Sequence, residues 1–347
     1  MPRSSNMPYA SRRFPGASVT SRARWAGLGV LLPAVLFFTV SGARAATELQ
    51  APVKMLMKGH NRVAVLEAIA RDDGSKVAFK VRQTFYGETG EETGEEVTVR
   101  LDEATYGDVE PGKTYVVAFT NVRRNFRFRE LREIDPEGFR VVGILGGGPA
   151  LLDDSPAVRL LFQAELAEEP PPPAERVAAA FATLSSDDQR TRAFGVLEIS
   201  LRPEWIALMS DQQVAGLRRY LSDPGFGPDL RDRLLGIAEK LPAALKGPWL
   251  AEETRRTLRE IEPQFDLTTF FPRLATTAIR MLGTEGGRAD GSLVARFLEA
   301  NNPGVVEAAL EALDRLDPGL ARSRAKVILK RDDLHAESRR LLTEYLG

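Results

Sequence analysis

The sequence predicts an α+β chain in two parts, a small N-terminal β-barrel followed by an all-α solenoid. Three observations carry this expectation. Residues from about 46 to 145 are rich in Val, Thr, Phe and Tyr, and apolar positions alternate with polar ones at a period of two. From about residue 175 the chain is rich in Leu, Ala, Arg and Glu, with apolar positions at helical spacing. Between the two zones stands Glu168-Glu169-Pro170-Pro171-Pro172-Pro173. Each proline fixes φ and biases its predecessor away from helix, so the run reads as a stiff, extended spacer. The expected organisation is a leader over 1–45, a barrel over 46–150, a short helix and proline-rich linker over 151–174, and helical repeats over 175–347.

The leader comes first. The first forty-five residues hold six arginines and no acid, and the apolar run from Trp25 to Val40 follows the basic part. Ala43-Arg44-Ala45 has the small-x-small spacing of a signal-peptidase site, which places cleavage after Ala45. An uncleaved anchor is the rival, though the run is short for a span and carries Pro33 near its middle. Ser11-Arg12-Arg13-Phe14 partly matches a twin-arginine signal, with Phe14 one place early. The expected address is periplasmic or secreted. Taking six arginines from 47 basic residues leaves 41 against 48 acidic ones, so the mature part is near −7 and gives no pull toward nucleic acid. With no cysteine, disulfides, thiolate metal sites and cysteine nucleophiles are excluded.

The β-zone reads as a meander. Val63 to Ile69 form a strand, Asp72-Asp73-Gly74 turns the chain, and Val77, Phe79, Val81 and Phe85 alternate in a second strand. Gly87 to Glu96 is an acidic loop, and Val97, Val99 and Leu101 form a third strand. After the turn at Pro111-Gly112, Tyr115, Val117 and Phe119 share one face of a fourth strand, with Val116 and Ala118 between them. Phe126 and Phe128 alternate with arginines in a fifth, and Phe139 to Leu145 offer a sixth. Short strands in this number suggest closure, which removes exposed edges.

The runs Val63-Ala-Val-Leu-Glu-Ala, Lys76-Val-Ala-Phe-Lys-Val, Glu96-Val-Thr-Val-Arg-Leu and Glu110-Pro-Gly-Lys-Thr-Tyr-Val-Val-Ala-Phe resemble the OB-like barrel of the netrin and metalloproteinase-inhibitor modules. The resemblance covers about a third of the chain. Inhibitors of that family chelate the target's metal through an N-terminal cysteine. The residue is missing here, so that route is not carried over.

The helical zone repeats. Similar cores start at Thr191, Leu230, Leu274, Val305 and Glu337, separated by 39, 44, 31 and 32 positions. Cap-like turns precede most of them: Asp187-Asp188, Asp223-Pro224, Asn302-Pro303 and Asp332-Asp333. Val306, Ala309, Leu310, Leu313 and Leu316 share one helix face. Units of this length resemble HEAT or armadillo-like repeats, with Gly283 to Gly291 as a loop insertion and a non-repetitive bundle as the rival.

Gly107 to Thr114 spells the phosphate-loop pattern, but a strand follows where the mechanism needs a helix, and Pro111 lacks the N–H the cradle would use. The reading is therefore a hairpin. His60 and His335, the only histidines, have no second ligand at metal spacing and read as surface or capping residues. Gly146-Gly147-Gly148-Pro149 reads as an exit from the barrel. In Val122 to Arg129 arginines interleave with aromatics, and Arg123, Arg124, Arg127 and Arg129 are the expected partner-binding residues if the barrel meets an anionic surface.

No catalytic, cofactor-binding or metal-binding residue is expected. The functional expectation is a non-enzymatic exported binding or scaffold protein with an unidentified protein partner and no nucleic acid. The alternatives are a hydrolase using carboxylates between the domains, or an inhibitor of an envelope enzyme.

Overall fold

The computed structural model describes residues 50–72, 75–87, 94–124, 138–144, 147–265 and 268–347. Residues 49–347 form one compact unit. The expected two-part layout is observed, with a closed five-stranded mixed barrel followed by helices.

The barrel strands are β1 (Asn61–Arg71), β2 (Lys76–Tyr86), β3 (Glu96–Arg100), β4 (Thr114–Asn121) and β5 (Phe139–Val141). They pair in the order β1-β2-β3-β5-β4, and β4 returns to β1 to close the ring. β3 and β5 are parallel, and the other pairs are antiparallel. Register shifts between β1 and β2 at Val63/Ala64, Val65/Leu66 and Ala68/Ala70 mark irregularities of the kind that bend a strand and help a small ring close. A minor hairpin joins β6 (Gly143–Ile144) to β7 (Gly148–Pro149), and β8 (Leu151–Asp153) adds to β4.

Two short helices precede and interrupt the strands. α1 (Pro52–Leu56) leads into β1, and α2 (Glu103–Asp108) lies between β3 and β4. The segment before Gly107 is therefore helical, so Gly107 to Thr114 runs from a helix end through a turn into a strand and is not a strand hairpin. Asp102 accepts the Thr105 N–H and caps α2.

β4 explains how the barrel is attached. Tyr115, Val117 and Phe119 point into the barrel, packing with Leu66, Phe79 and Val99. Val116 and Ala118 point the other way and join the core of the helical region. β1 divides likewise, with Ala64, Leu66 and Ala68 inside and Val63 and Val65 outside. A strand buried on both faces reads as a continuous apolar run, as Tyr115-Val-Val-Ala-Phe does. An aromatic stack carries the shared core across. Phe85 on β2, Phe162 on α3 (Pro156–Leu166) and Phe194 on α5 (Gln189–Ser200) have successive ring centroids 5.8 Å apart and near parallel. Pro173 is the first residue of α4 (Pro173–Ala182), which packs on α3, so the prolines join two helices in contact.

The remaining helices are α6 (Pro203–Ile206), α7 (Asp211–Ser222), α8 (Pro228–Glu239), α9 (Ala243–Lys246), α10 (Trp249–Glu260), α11 (Phe271–Glu285), α12 (Gly291–Ala295), α13 (Pro303–Leu316), α14 (Pro318–Ile328) and α15 (Ala336–Leu346). α4–α5, α7–α8, α10–α11, α12–α13 and α14–α15 are successive pairs, and α5, α8, α11, α13 and α15 stack in one row. The five repeat cores read from the sequence are the five members of that row. Close approach explains two buried glycines. A Cβ on Gly195 would overlap Thr183 Oγ1 of the preceding turn, and one on Gly283 would lie 2.9 Å from Ala312 Cβ. Gly283 thus sits inside α11, and the non-helical part of the expected insertion is shorter than it reads. α15 turns Glu337, Arg340 and Glu344 outward in a ladder of ion pairs of 2.6 Å, a polar face suited to the end of a stack.

The caps are partly as expected. Asp188 caps α5, and Asn302 with Pro303 opens α13. Asp223 instead closes α7 and holds the Gly225 N–H, while α8 starts five residues later, behind Gly227. His335, not Asp332 or Asp333, caps α15 through Nδ1.

Candidate functional site

An open cleft of about 1200 Å³ lies where the barrel base meets the first helix pair. One wall is α2 and the turn before β4; the other is the α4–α5 connection. Gly112 takes a left-handed φ of 83° and donates its N–H to Ala68 O, which sets Lys113 at the rim. Tyr115 Oη accepts the Glu110 N–H at 2.9 Å and fixes the turn from below.

A chain of polar contacts crosses the cleft wall from barrel to array. Lys113 Nζ meets Asp153 Oδ1 at 3.1 Å. Ser186 donates to Asp153 Oδ2 at 2.6 Å, and the Asp153 N–H donates to Thr191 Oγ1 at 2.9 Å. Thr191 donates its hydroxyl and its N–H to Asp188 Oδ2, and Arg190 bridges Asp188 at 2.9 Å and Asp108 at 3.4 Å. These bonds fix the barrel base against the start of α5.

The lining holds six carboxylates, Asp102, Asp108, Glu110, Asp153, Asp187 and Asp188, against Lys113 and Arg190. Burial pushes Asp102 up, but the Thr105 N–H and hydroxyl outweigh it and hold the carboxyl below its ordinary value. Burial pulls Lys113 down, yet Asp153 prevails and the ammonium lies above its ordinary value. The chemistry of this wall is that of fixed charges and hydrogen-bonding groups.

A second groove of about 370 Å³ adjoins the first and shares Gln189 and Arg190 with it. Ala193, Pro228, Leu230 and Phe270 give it an apolar floor and rim.

The acid pushed up by burial lies elsewhere. Glu198 on α5 is fully buried; desolvation raises its pKa against the pull of Arg202. Its carboxylate accepts from Arg202 Nε at 2.7 Å and from the Val53 N–H at 3.1 Å, tying α1 to the array. Arg202 also lies 4.5 Å from the Trp205 ring and reaches Glu165 at 3.3 Å. The carboxylate is locked into a structural network rather than presented to a cleft.

The described part of the sequence-predicted patch lies apart from the cleft. Arg123 is exposed in the short turn Val122–Arg124 at the far end of β4, its N–H bonded to Asn121 Oδ1 at 2.9 Å. Arg124 ends that turn, and Arg127 and Arg129, with the strand expected at Phe126 and Phe128, lie outside the described residues. Lys113 of the phosphate-loop pattern pairs with Asp153, and β4 starts at Thr114, so a strand and not a helix follows that loop. His60 precedes β1, and its carbonyl accepts the Thr120 hydroxyl. Among the described residues no group of three or more His, Cys, Asp or Glu is placed to hold a metal ion, and no helix is long and apolar enough to cross a membrane. The sequence reading does not assign the cleft as a site; its residues enter that reading as Asp187-Asp188, a cap, and within Gly107 to Thr114, a hairpin.

Comparison with family models, with curated proteins and with solved structures finds no match for this chain.

Proposed function

We propose that this chain is a non-enzymatic binding or scaffold protein of a bacterial envelope, exported by its leader, that holds a protein partner with barrel and helical array acting together. The observation that carries the reading is the shared core. One wall of the barrel is built into the first helix pair, so barrel turns and helix ends keep a fixed relation around an open cleft. Preorganised surfaces of this kind lose little entropy on binding. The strand order with its parallel β3–β5 pair supports an OB-type barrel, and the stacked pairs support HEAT-like repeats. Arg123, exposed in the turn that follows β4, is a candidate for a second, cationic contact, together with Arg124, Arg127 and Arg129 that neighbour it in sequence. The cleft acids favour recognition over hydrolysis, since Asp102 is held low and Asp153 and Asp188 are engaged by cations and hydroxyls.

The test is crosslinking of the tagged full chain in its native cell, followed by mass spectrometry. A discrete envelope protein crosslinked to barrel and array peptides is expected, with a mature N-terminus at Ala46. Crosslinks no richer than those of an unrelated exported protein would overturn the reading.

A further inference from the structure

The cleft at the barrel base and the apolar groove beside it share Gln189 and Arg190 in their linings. The two differ in chemistry. The first is lined by six acids and two cations, the second, besides the shared pair, by Ala193, Pro228, Leu230, Phe270 and three glycines, with Asp229 as its one acid. We propose that these adjoining depressions together take an extended segment of a partner protein, with a basic residue in the acidic cleft and a large apolar residue against Phe270. The proposal rests on the reading of the chain as a binding protein and names the site and the partner's chemistry.

The two depressions sharing Gln189 and Arg190 are the first observation, and charge selects the occupant. Asp102 and Asp188 cap helices, and Asp153 is paired with Lys113. Glu110 and Asp187 are exposed and make no ion pair among the described residues. The excess of negative charge attracts lysine or arginine and repels nucleic acid, anionic lipid and acidic peptide. The dipole of α5 accounts for one acid near its N-terminus, but not for Glu110 or Asp108 on the opposite wall.

The groove supplies the apolar half. Phe270 is 51% exposed and its neighbour Phe271 is 40% exposed. Adjacent exposed rings beside an apolar groove mark a recognition surface more than a solvent-facing one. Spacing joins the halves. Stacked helices lie about 8–10 Å apart, and α5, α8 and the start of α11 are two such steps. An extended chain advances about 3.3 Å per residue. A basic residue at α5 and an apolar one at Phe270 would therefore stand about six positions apart.

The probe is a fluorescent nonapeptide pool with Lys or Arg fixed near one end and Leu or Phe fixed about six positions on. A control pool carries Glu in place of the basic residue. Anisotropy with the mature chain should show saturable binding of the basic pool, weakened by added salt. The pair Glu110→Lys and Asp187→Lys should weaken it about tenfold or more, and Phe270→Ser should do so separately. These are exposed side chains, and circular dichroism checks that the variants fold. Glu307→Lys on α13, an exposed position outside both linings, should leave the affinity unchanged. Equal binding of the acidic pool, unchanged affinity in both cleft and groove variants, or no saturable binding of the basic pool would overturn the proposal. If the pool fails while native-cell crosslinking still captures a partner, the channel assignment falls and the broader reading stands. If both fail, the broader reading falls with it.

Discussion

Phe162→Ala tests whether barrel and array are one folding unit. The ring is fully buried and lies between Phe85 of the barrel and Phe194 of α5, with both centroids at 5.8 Å and interplanar angles of 14° and 15°. Truncating a buried phenylalanine costs about 3–5 kcal/mol through lost transfer and the cavity left behind. The two aromatic pairs, each about 0.5–1.5 kcal/mol, place this site in the upper part of that range. Taking about 4 kcal/mol and a urea slope of about 3 kcal/mol per M, the midpoint should fall by about 1.3 M. Hydrogen exchange supplies the spatial readout. In the slowest amides a loss of about 4 kcal/mol accelerates exchange roughly a thousandfold. Because the stack spans the junction, amides of β1 and β4 should accelerate together with those of α4 and α5. Barrel amides that keep their wild-type rates while the helices accelerate would refute the shared-core argument.

Other expectations follow from single contacts. Glu198→Ala should cost about 3–5 kcal/mol in urea unfolding, because it strands buried Arg202 and the Val53 N–H; a cost near zero would remove the network as the tie holding α1. Gly195→Ala should destabilise by about 1–3 kcal/mol, since the overlap with Thr183 and a 2.7 Å approach to Ala180 O exceed the gain in helix propensity; a more stable variant would contradict the packing of α4 on α5. Asp290 is held below its ordinary pKa first by the Arg255 guanidinium at 2.6 and 3.0 Å, and also by the Gly287 N–H. Its contribution is therefore present above about pH 4 and lost as acid titrates through the lowered value. Asp290→Asn should cost about 1.5–3 kcal/mol at neutral pH, with the gap to wild type closing on acidification; a gap that widens in acid would reverse the assignment.

Much of the fold is legible in residue pattern because burial imposes period. The strand cores near Val63, Val77, Val97 and Tyr115 stand where alternation places them, and the five repeat cores are the stacked second helices. Short elements escape the same logic. α1 and α2 have five and six residues, too few for a helical period, although Asp102 three residues before Thr105 is a readable cap. Leu151-Leu152-Asp153 became a strand only because β4 offered an edge. The first helices of the pairs are harder to read than the second, and α12 has only five residues.

The cleft was hidden for a different reason. Its wall joins Lys113, Asp153 and the pair Ser186 and Asp188, three segments that share no spacing. Only the docking of β8 against α5 brings them together. The proline run shows the converse. Its stiffness was readable, but the packing of α3 on α4 across it depends on apolar faces that Pro170 to Pro173 do not reveal.

The junction itself admits a direct measurement, since the chain has no cysteine of its own. Asp153→Cys and Ser186→Cys together place one thiol on β8, the strand added to the barrel at β4, and one at the start of the array, where the native side chains meet at 2.6 Å. Treatment of the folded double variant with a short bis-maleimide should link residues 153 and 186 within one molecule, in a single peptide pair found by mass spectrometry. Two thiols that react singly and never with each other, in a chain that is otherwise folded, would contradict a barrel built into the helical array.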